Sequence, residues 1–156
     1  MKKILSMFAI VLSLVISGCA SMPSPEEMRA DTANFTLPKL PQDGKAMVYV
    51  VRPAFLGKLI KFNVFVDNKE SQSEMGYTRG KQYIYFSISP GKHKILSKAE
   101  NWAETDVEAN AGDIIFIQQE PEMGLVMARN SIIKIPELEG KYHVKHLKPG
   151  TIIRGQ

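Results

Sequence analysis

Gln82-Tyr83-Ile84-Tyr85-Phe86-Ser87-Ile88-Ser89 alternates with a period of two: Ile84, Phe86 and Ile88 fall on one side, Tyr83 and Tyr85 on the other. That period belongs to a β-strand with one face turned to a core. Pro90-Gly91 follows. The proline presets one turn angle and the glycine accepts a positive φ, so the chain is expected to reverse into a second strand, Lys92 to Lys98 (KHKILSK). Upstream, Ala46 to Arg52 (AMVYVVR) stops at Pro53. Lys61 to Asp67 (KFNVFVD) alternates through Phe62, Val64 and Val66 before a turn at Asp67-Asn68-Lys69. Downstream, a strand at Glu104 to Glu108 precedes the Ala111-Gly112-Asp113 turn and Ile114 to Gln119 (IIFIQQ). Leu125 to Ile135 holds one more strand, bent near Asn130. About seven short strands with turn residues every eight to twelve positions predict an all-β fold, an antiparallel two-sheet sandwich.

The end of the chain breaks this pattern. Pro136 to Lys148 (PELEGKYHVKHLK) reads as a short C-terminal helix with Leu138, Tyr142 and either Val144 or Lys145 on one face. Gly140 in its middle costs about 1 kcal/mol relative to alanine, and a strand at Lys141 to Leu147 is the alternative.

The chain has 156 residues, 44% hydrophobic and 23% charged. This is ordinary for one globular domain and excludes a disordered, collagenous or mostly membrane-embedded protein. A single cysteine, Cys19, leaves no internal disulfide framework and no multi-cysteine metal site.

At the N-terminus, Lys2 and Lys3 precede an apolar run of 13 residues, Ile4 to Ile16. A spanning helix needs roughly 20 such residues, so this length suits a secretory segment. Ile16-Ser17-Gly18-Cys19 comes next. It resembles the lipobox of bacterial lipoproteins, in which a diacylglyceryl group joins the cysteine thiol and cleavage occurs just before it. The resemblance implies a signal peptide over residues 1–18 and acyl chains (palmitate) on Cys19. Two or three acyl chains, at about 0.8 kcal/mol per buried methylene, make a permanent anchor. Ala20 stands where aspartate would retain many lipoproteins in the inner membrane, so the expected location is the outer membrane, facing the periplasm.

Residues 19–43 carry Pro23, Pro25, Pro38 and Pro41 and read as a lipidated tether. A short helix over Glu26 to Ala33, capped by Ser24 with Pro25 at its first position, fits within it. The sandwich is expected over residues 44–148 and a tail over 149–156. Without Lys2 and Lys3 the remaining 18 basic and 16 acidic side chains give only +2, too balanced to argue for nucleic acid.

Gly44 to Pro53, Val64 to Lys69 and Ser89 to Ile95 together resemble a family of small Gram-negative envelope proteins, many of them lipoproteins, classed as a domain of unknown function. The likeness extends at longer range to PEGA domains and transthyretin-like sandwiches, and covers Gly44 to Leu147. It departs at Asn68, where glycine is commoner, and at the Gln72 to Gly80 insertion. It implies a compact β-sandwich on a lipid anchor and carries over no catalytic residues.

Chemistry-bearing residues are sparse. His143 and His146 are three apart, near Glu137 and Glu139, without a recognised metal spacing. His93 reads as a strand residue with a satisfied ring. Glu104, Asp106 and Glu108 alternate along one strand as like charges on one exposed face, which discourages edge pairing. Lys141, Lys145, Lys148 and Arg154 make the C-terminus locally basic. Tyr77, Tyr83 and Tyr85 are expected to form an outward aromatic group, and Trp102 a second exposed ring. No cofactor, metal site or catalytic set is expected. The leading expectation is a non-catalytic outer-membrane lipoprotein whose sandwich contacts an envelope protein partner. The alternative is a glycan- or peptidoglycan-binding module using Tyr77, Tyr83, Tyr85 or Trp102. An envelope hydrolase has only the histidine pair behind it.

Overall fold

The computed structural model describes residues 22–155. Cys19 and the Ile16-Ser17-Gly18 motif lie outside the described residues. The elements run α1 (Pro25–Thr32), β1 (Ala46–Arg52), β2 (Phe62–Val66), β3 (Glu74–Thr78), β4 (Gln82–Ile88), β5 (Gly91–Lys98), β6 (Trp102–Ala109), β7 (Ile114–Glu122), β8 (Arg129–Ile135), α2 (Glu137–His146), β9 (Lys148–Pro149) and β10 (Thr151–Ile152). They form two five-stranded sheets, ordered β8-β7-β1-β4-β9 and β10-β3-β2-β5-β6. The fold is the expected two-sheet β architecture with a short C-terminal helix.

Ile84, Phe86 and Ile88 do face the core between the sheets, where they meet Val48, Val50, Val64, Ile95 and Ile117. The second sheet is antiparallel. The first is mixed rather than purely antiparallel: β1 pairs antiparallel with β4 and parallel with β7. A parallel neighbour sits in the middle of a sheet, and β1 is correspondingly buried at every residue. That is why Ala46–Arg52 is a continuous apolar run and not an alternating one.

A second cluster covers the outer face of this first sheet. Met47, Tyr49, Val51, Tyr83 and Phe116 pack there against Val144 of α2 and Leu37. Tyr49 anchors it: its ring stacks on Phe116 at 5.4 Å and its hydroxyl donates to the Lys39 carbonyl (2.6 Å) while accepting the Lys39 N–H (2.9 Å). Burial pushes the Tyr49 phenol up to about 12.

Residues 24–43, read from sequence as a tether, are therefore part of the folded body. Ser24 caps α1 by accepting the Glu27 N–H, and the Glu27 carboxylate accepts the Ser24 N–H in return. Asp31 near the end of α1 pairs with Lys145 (2.9 Å) and His146 (2.8 Å) of α2. Proline spacing marks where a chain cannot be regular, but it does not report whether the irregular chain is covered.

In α2 the buried residues are Gly140, His143 and Val144; of the face expected from sequence, Val144 is buried while Leu138 and Tyr142 are half-buried. Gly140 sets this face. A Cβ there would lie 2.1 Å from Phe116 Cγ, so only glycine lets the helix settle on the ring. Gly140→Ala should gain about 1 kcal/mol in helix propensity and lose more to overpacking, about 1–3 kcal/mol. Urea denaturation should show a net loss of stability, recovered in part by adding Phe116→Leu. A midpoint at or above the parent value would refute this packing account.

Candidate functional site

Because β1 and β7 run parallel, the loops that leave their C-terminal ends emerge at the same pole of the sandwich. Each loop is organised by one charged side chain. Arg52 closes β1 and is fully buried. Its Nη1 donates to the Ile60 carbonyl (2.7 Å), and Nη2 donates to the carbonyls of Leu56 (3.0 Å) and Gly57 (2.9 Å). The guanidinium lies 3.5 Å from the Phe62 ring centroid. Burial lowers its pKa to about 10, so it stays charged. The loop of residues 53–61 is thus wrapped, carbonyls inward, around a cation.

The loop of residues 123–128 uses the opposite charge. The Glu100 carboxylate accepts the backbone N–H groups of Leu125 (3.1 Å), Val126 (2.9 Å) and Met127 (2.7 Å). Those three bonds hold the Glu100 carboxyl below the ordinary range for glutamate. The two loops meet at Gly57, which has φ +61°; a Cβ there would lie 3.1 Å from Ala128 Cβ. Leu56, Ile60, Met123, Val126 and Met127 line the groove between them. Outward, the loops present Phe55, Leu56, Leu59, Met123, Leu125, Val126 and Met127, with Lys58 and Lys61 as exposed charges in the first loop.

The four aromatic residues singled out in the sequence do not form one group. Tyr83 is a correction: it is buried, and with Tyr85 it packs around Tyr49 at 6.3 and 5.6 Å on the outer face of the first sheet. Alternation told correctly that both point away from the inter-sheet core, but not that α2 and residues 33–40 cover that side. Tyr77 and Trp102 lie on the other sheet, in one row across it: Tyr77 opposite Asn63, Asn63 opposite Lys98, Lys98 opposite Trp102. Three strand spacings separate the two rings by roughly 14 Å. Lys61 and Arg79 sit over Tyr77, Lys69 and Lys98 over Trp102, and Phe65 packs on Trp102 at 5.1 Å.

The histidines also separate. His93 Nδ1 lies 2.9 Å from Asp67 Oδ2 and its Nε2 2.9 Å from the Ser89 carbonyl oxygen, tying two turns at the opposite pole. His146 pairs with Asp31. His143 faces the first sheet, with Nε2 3.7 Å from Glu139 and buried without a hydrogen-bond partner. Burial, then Lys81 and His146, lower its pKa to about 4. Together with Lys81, Gln118 and Tyr142 it lines a cleft of about 560 Å³ that also meets Met22, Pro23, Pro53 and Ala54. Among the described residues no three His, Cys, Asp or Glu side chains gather as a metal site, and no helix is long and apolar enough to cross a membrane.

Residues 42–131 match the family described as Protein of unknown function (DUF2846). The chain belongs to this family. A Haemophilus influenzae protein described as uncharacterized is 26% identical over 139 residues, which are 88% of this chain and 79% of the relative. The DUF2846 segment spans both loops of the pole together with Arg52 and Glu100, while α1, α2, β9 and β10 lie outside it.

Sequence inspection missed Arg52 and Glu100. The available signal was a cation ending a wholly apolar strand just before Pro53. Arg52→Met keeps the apolar stem but strips three carbonyls of their donor, so it should cost about 1–3 kcal/mol. Amide exchange should accelerate selectively in residues 54–61; unchanged protection there would mean the guanidinium does not hold the loop. His143 gives a pH prediction. The unfolded chain takes up a proton near pH 6.5, the folded one only near 4, so between these values the unfolded state binds more protons. Stability should therefore be complete above pH 6.5 and fall toward pH 4, with a slope of at most about 1.4 kcal/mol per pH unit. His143→Leu should remove that slope in denaturation curves; equal pH profiles would refute the assignment.

Proposed function

We propose that this DUF2846 protein is a non-catalytic, lipid-anchored component of the bacterial cell envelope. Its β-sandwich stands on the outer membrane, faces the periplasm, and makes contacts with protein partners. The observation that carries the reading is where the chain enters the fold. Met22 and Pro23 line one cleft with Pro53 and Ala54, the first residues of the 53–61 loop, so the chain enters the body on the side of the two-loop pole. Cys19, in its lipobox-like setting, is three residues away, a span of at most about 11 Å. Acyl chains on Cys19 would bring this pole to the bilayer and turn the opposite pole, with its Asp67, Ser89 and Asp113 turns, toward the aqueous compartment.

The non-catalytic part is supported by what the reactive side chains already do. His93 and His146 are engaged with Asp67, Ser89 and Asp31, Glu100 with loop amides, and Arg52 with loop carbonyls. These are structural tasks; His143, buried without a hydrogen-bond partner, is the histidine outside this set. On the outer sheet, the Lys94–Glu104 pair (2.7 Å) and the exposed Asp106 and Glu108 offer a charged surface to a protein. The row from Tyr77 to Trp102 favours a second reading, glycan binding, although cations over both rings compete for the faces a sugar would stack on.

Cells fed an alkyne analogue of palmitate should label the parent protein in the outer-membrane fraction, and Cys19→Ser should lose both label and sedimentation. Label persisting in Cys19→Ser would overturn the anchor. Affinity capture of the acylated protein from gently solubilised envelopes should enrich a stoichiometric protein that the Cys19→Ser capture retains, since a protein lost there merely shares the membrane. Retention on purified peptidoglycan, lost in Trp102→Ala, with no protein enriched, would favour the glycan reading instead.

A further inference from the structure

Among the described residues, eleven large apolar side chains are exposed, and seven belong to the two loops of one pole. Leu125 is 96% exposed, Val126 88%, Met123 83% and Leu59 81%. An eighth, Met22, is exposed and lines a cleft with Pro53 and Ala54 of the first loop. A soluble protein scatters such residues singly; a concentrated group marks a contact.

We propose that these loops form a second membrane contact, inserting Phe55, Leu59, Leu125 and Val126 into the interface of the bilayer that receives the Cys19 acyl chains. The inference rests on the lipid-anchor reading and adds to it a fixed orientation. Two observations select lipid as the occupant. The first is distance: a pole joined by three residues to an acylated cysteine lies within about 11 Å of the headgroups. The second is the state of the loop backbone. A loop that faces water can leave its N–H and C=O groups to water, but one entering a lipid interface must satisfy them internally. Here Arg52 takes carbonyls of Leu56, Gly57 and Ile60, and Glu100 takes amides of Leu125, Val126 and Met127. The Lys58 carbonyl accepts the Gly80 N–H and the Ala128 carbonyl the Glu100 N–H.

Charge around the patch fits anionic headgroups. Lys58, Lys61, Lys81, Arg129 and Lys148 are exposed about this pole, against the exposed Glu122 and the half-buried Glu100 and Glu120. Basic residues flanking exposed apolar ones are the usual composition of an interfacial segment.

The test uses the full acylated chain. Because acylation consumes the Cys19 thiol, an introduced cysteine becomes the sole labelling site. Leu125→Cys, and in a second protein Asn68→Cys at the opposite pole, would carry an environment-sensitive NBD fluorophore in vesicles of phosphatidylethanolamine and phosphatidylglycerol. The label at 125 should shift to the blue, lose quenching by aqueous iodide and gain quenching by nitroxide-bearing lipid. The label at 68 should stay open to iodide. Adding Leu59→Glu and Val126→Glu should return the 125 label to water while the protein still floats with the vesicles. If the protein floats but the 125 label behaves like the 68 label, the second contact is refuted and the anchor stands. If the protein does not float and Cys19 itself takes the label, the anchor reading fails. Protection of the 125 label in native envelopes but not in pure lipid would overturn the lipid assignment in favour of a protein partner.

Discussion

A guanidinium buried at the end of the central strand is the constraint around which this molecule is arranged. Arg52 closes a strand that is covered on both faces and flanked by strands on both sides, so it cannot reach water. No carboxylate is paired with it among the described residues. Leaving such a charge unsatisfied would cost far more than the fold's marginal stability allows. The chain after Pro53 therefore bends back and offers its carbonyls, and Phe62 at the start of β2 offers a ring face. Once the carbonyls are committed inward, Phe55, Leu56 and Leu59 point outward. The buried charge thus satisfies backbone groups beneath an apolar pole, and Glu100 repeats the arrangement with amides in the neighbouring loop.

The sandwich was legible because its information is local. Alternation over 82–89 assigns faces, and Pro90-Gly91 assigns the reversal. What was not legible depends on partners distant in sequence. The parallel pairing of β1 with β7 brings Val48 opposite Ile115, and nothing within either segment announces it, although the unbroken apolar run of β1 was consistent with cover on both faces. Gly140 looked like a helix breaker because its cost is intrinsic to the helix, whereas its benefit lies in Phe116, contributed by β7. The segment 24–43 looked like a spacer because proline content reports irregular backbone and is silent about burial of Leu37 or the Lys39–Tyr49 bonds.

The candidate site was less legible than the fold, for a chemical reason. A search of sequence for function looks for titratable, nucleophilic or aromatic side chains, and here those are mostly occupied with holding the structure. The surface left over is made of Leu, Met, Val and Phe, which in a one-dimensional reading belong to the core. Leu125 to Met127 accordingly fall within the span, Leu125 to Ile135, in which the sequence places a strand. Only the fold shows that β8 begins at Arg129 and that the preceding residues form a loop hung from Glu100.

The packing of residues 24–43 onto the body changes what a lipid on Cys19 would accomplish. Ends of a flexible chain spread by about 5–6 Å times the square root of its length, so a 25-residue spacer would let the domain range roughly 27 Å from its anchor. Three residues hold it within about 11 Å. At that distance the loops face the interface at an effective concentration in the millimolar range, and even a weak apolar contact is then occupied most of the time. Acyl chains would already supply the attachment, so affinity is not what the loops add. A single flexible joint leaves rotation free, and two separate contacts on one rigid pole remove it. Orientation of the charged outer sheet relative to the bilayer would follow from that second contact.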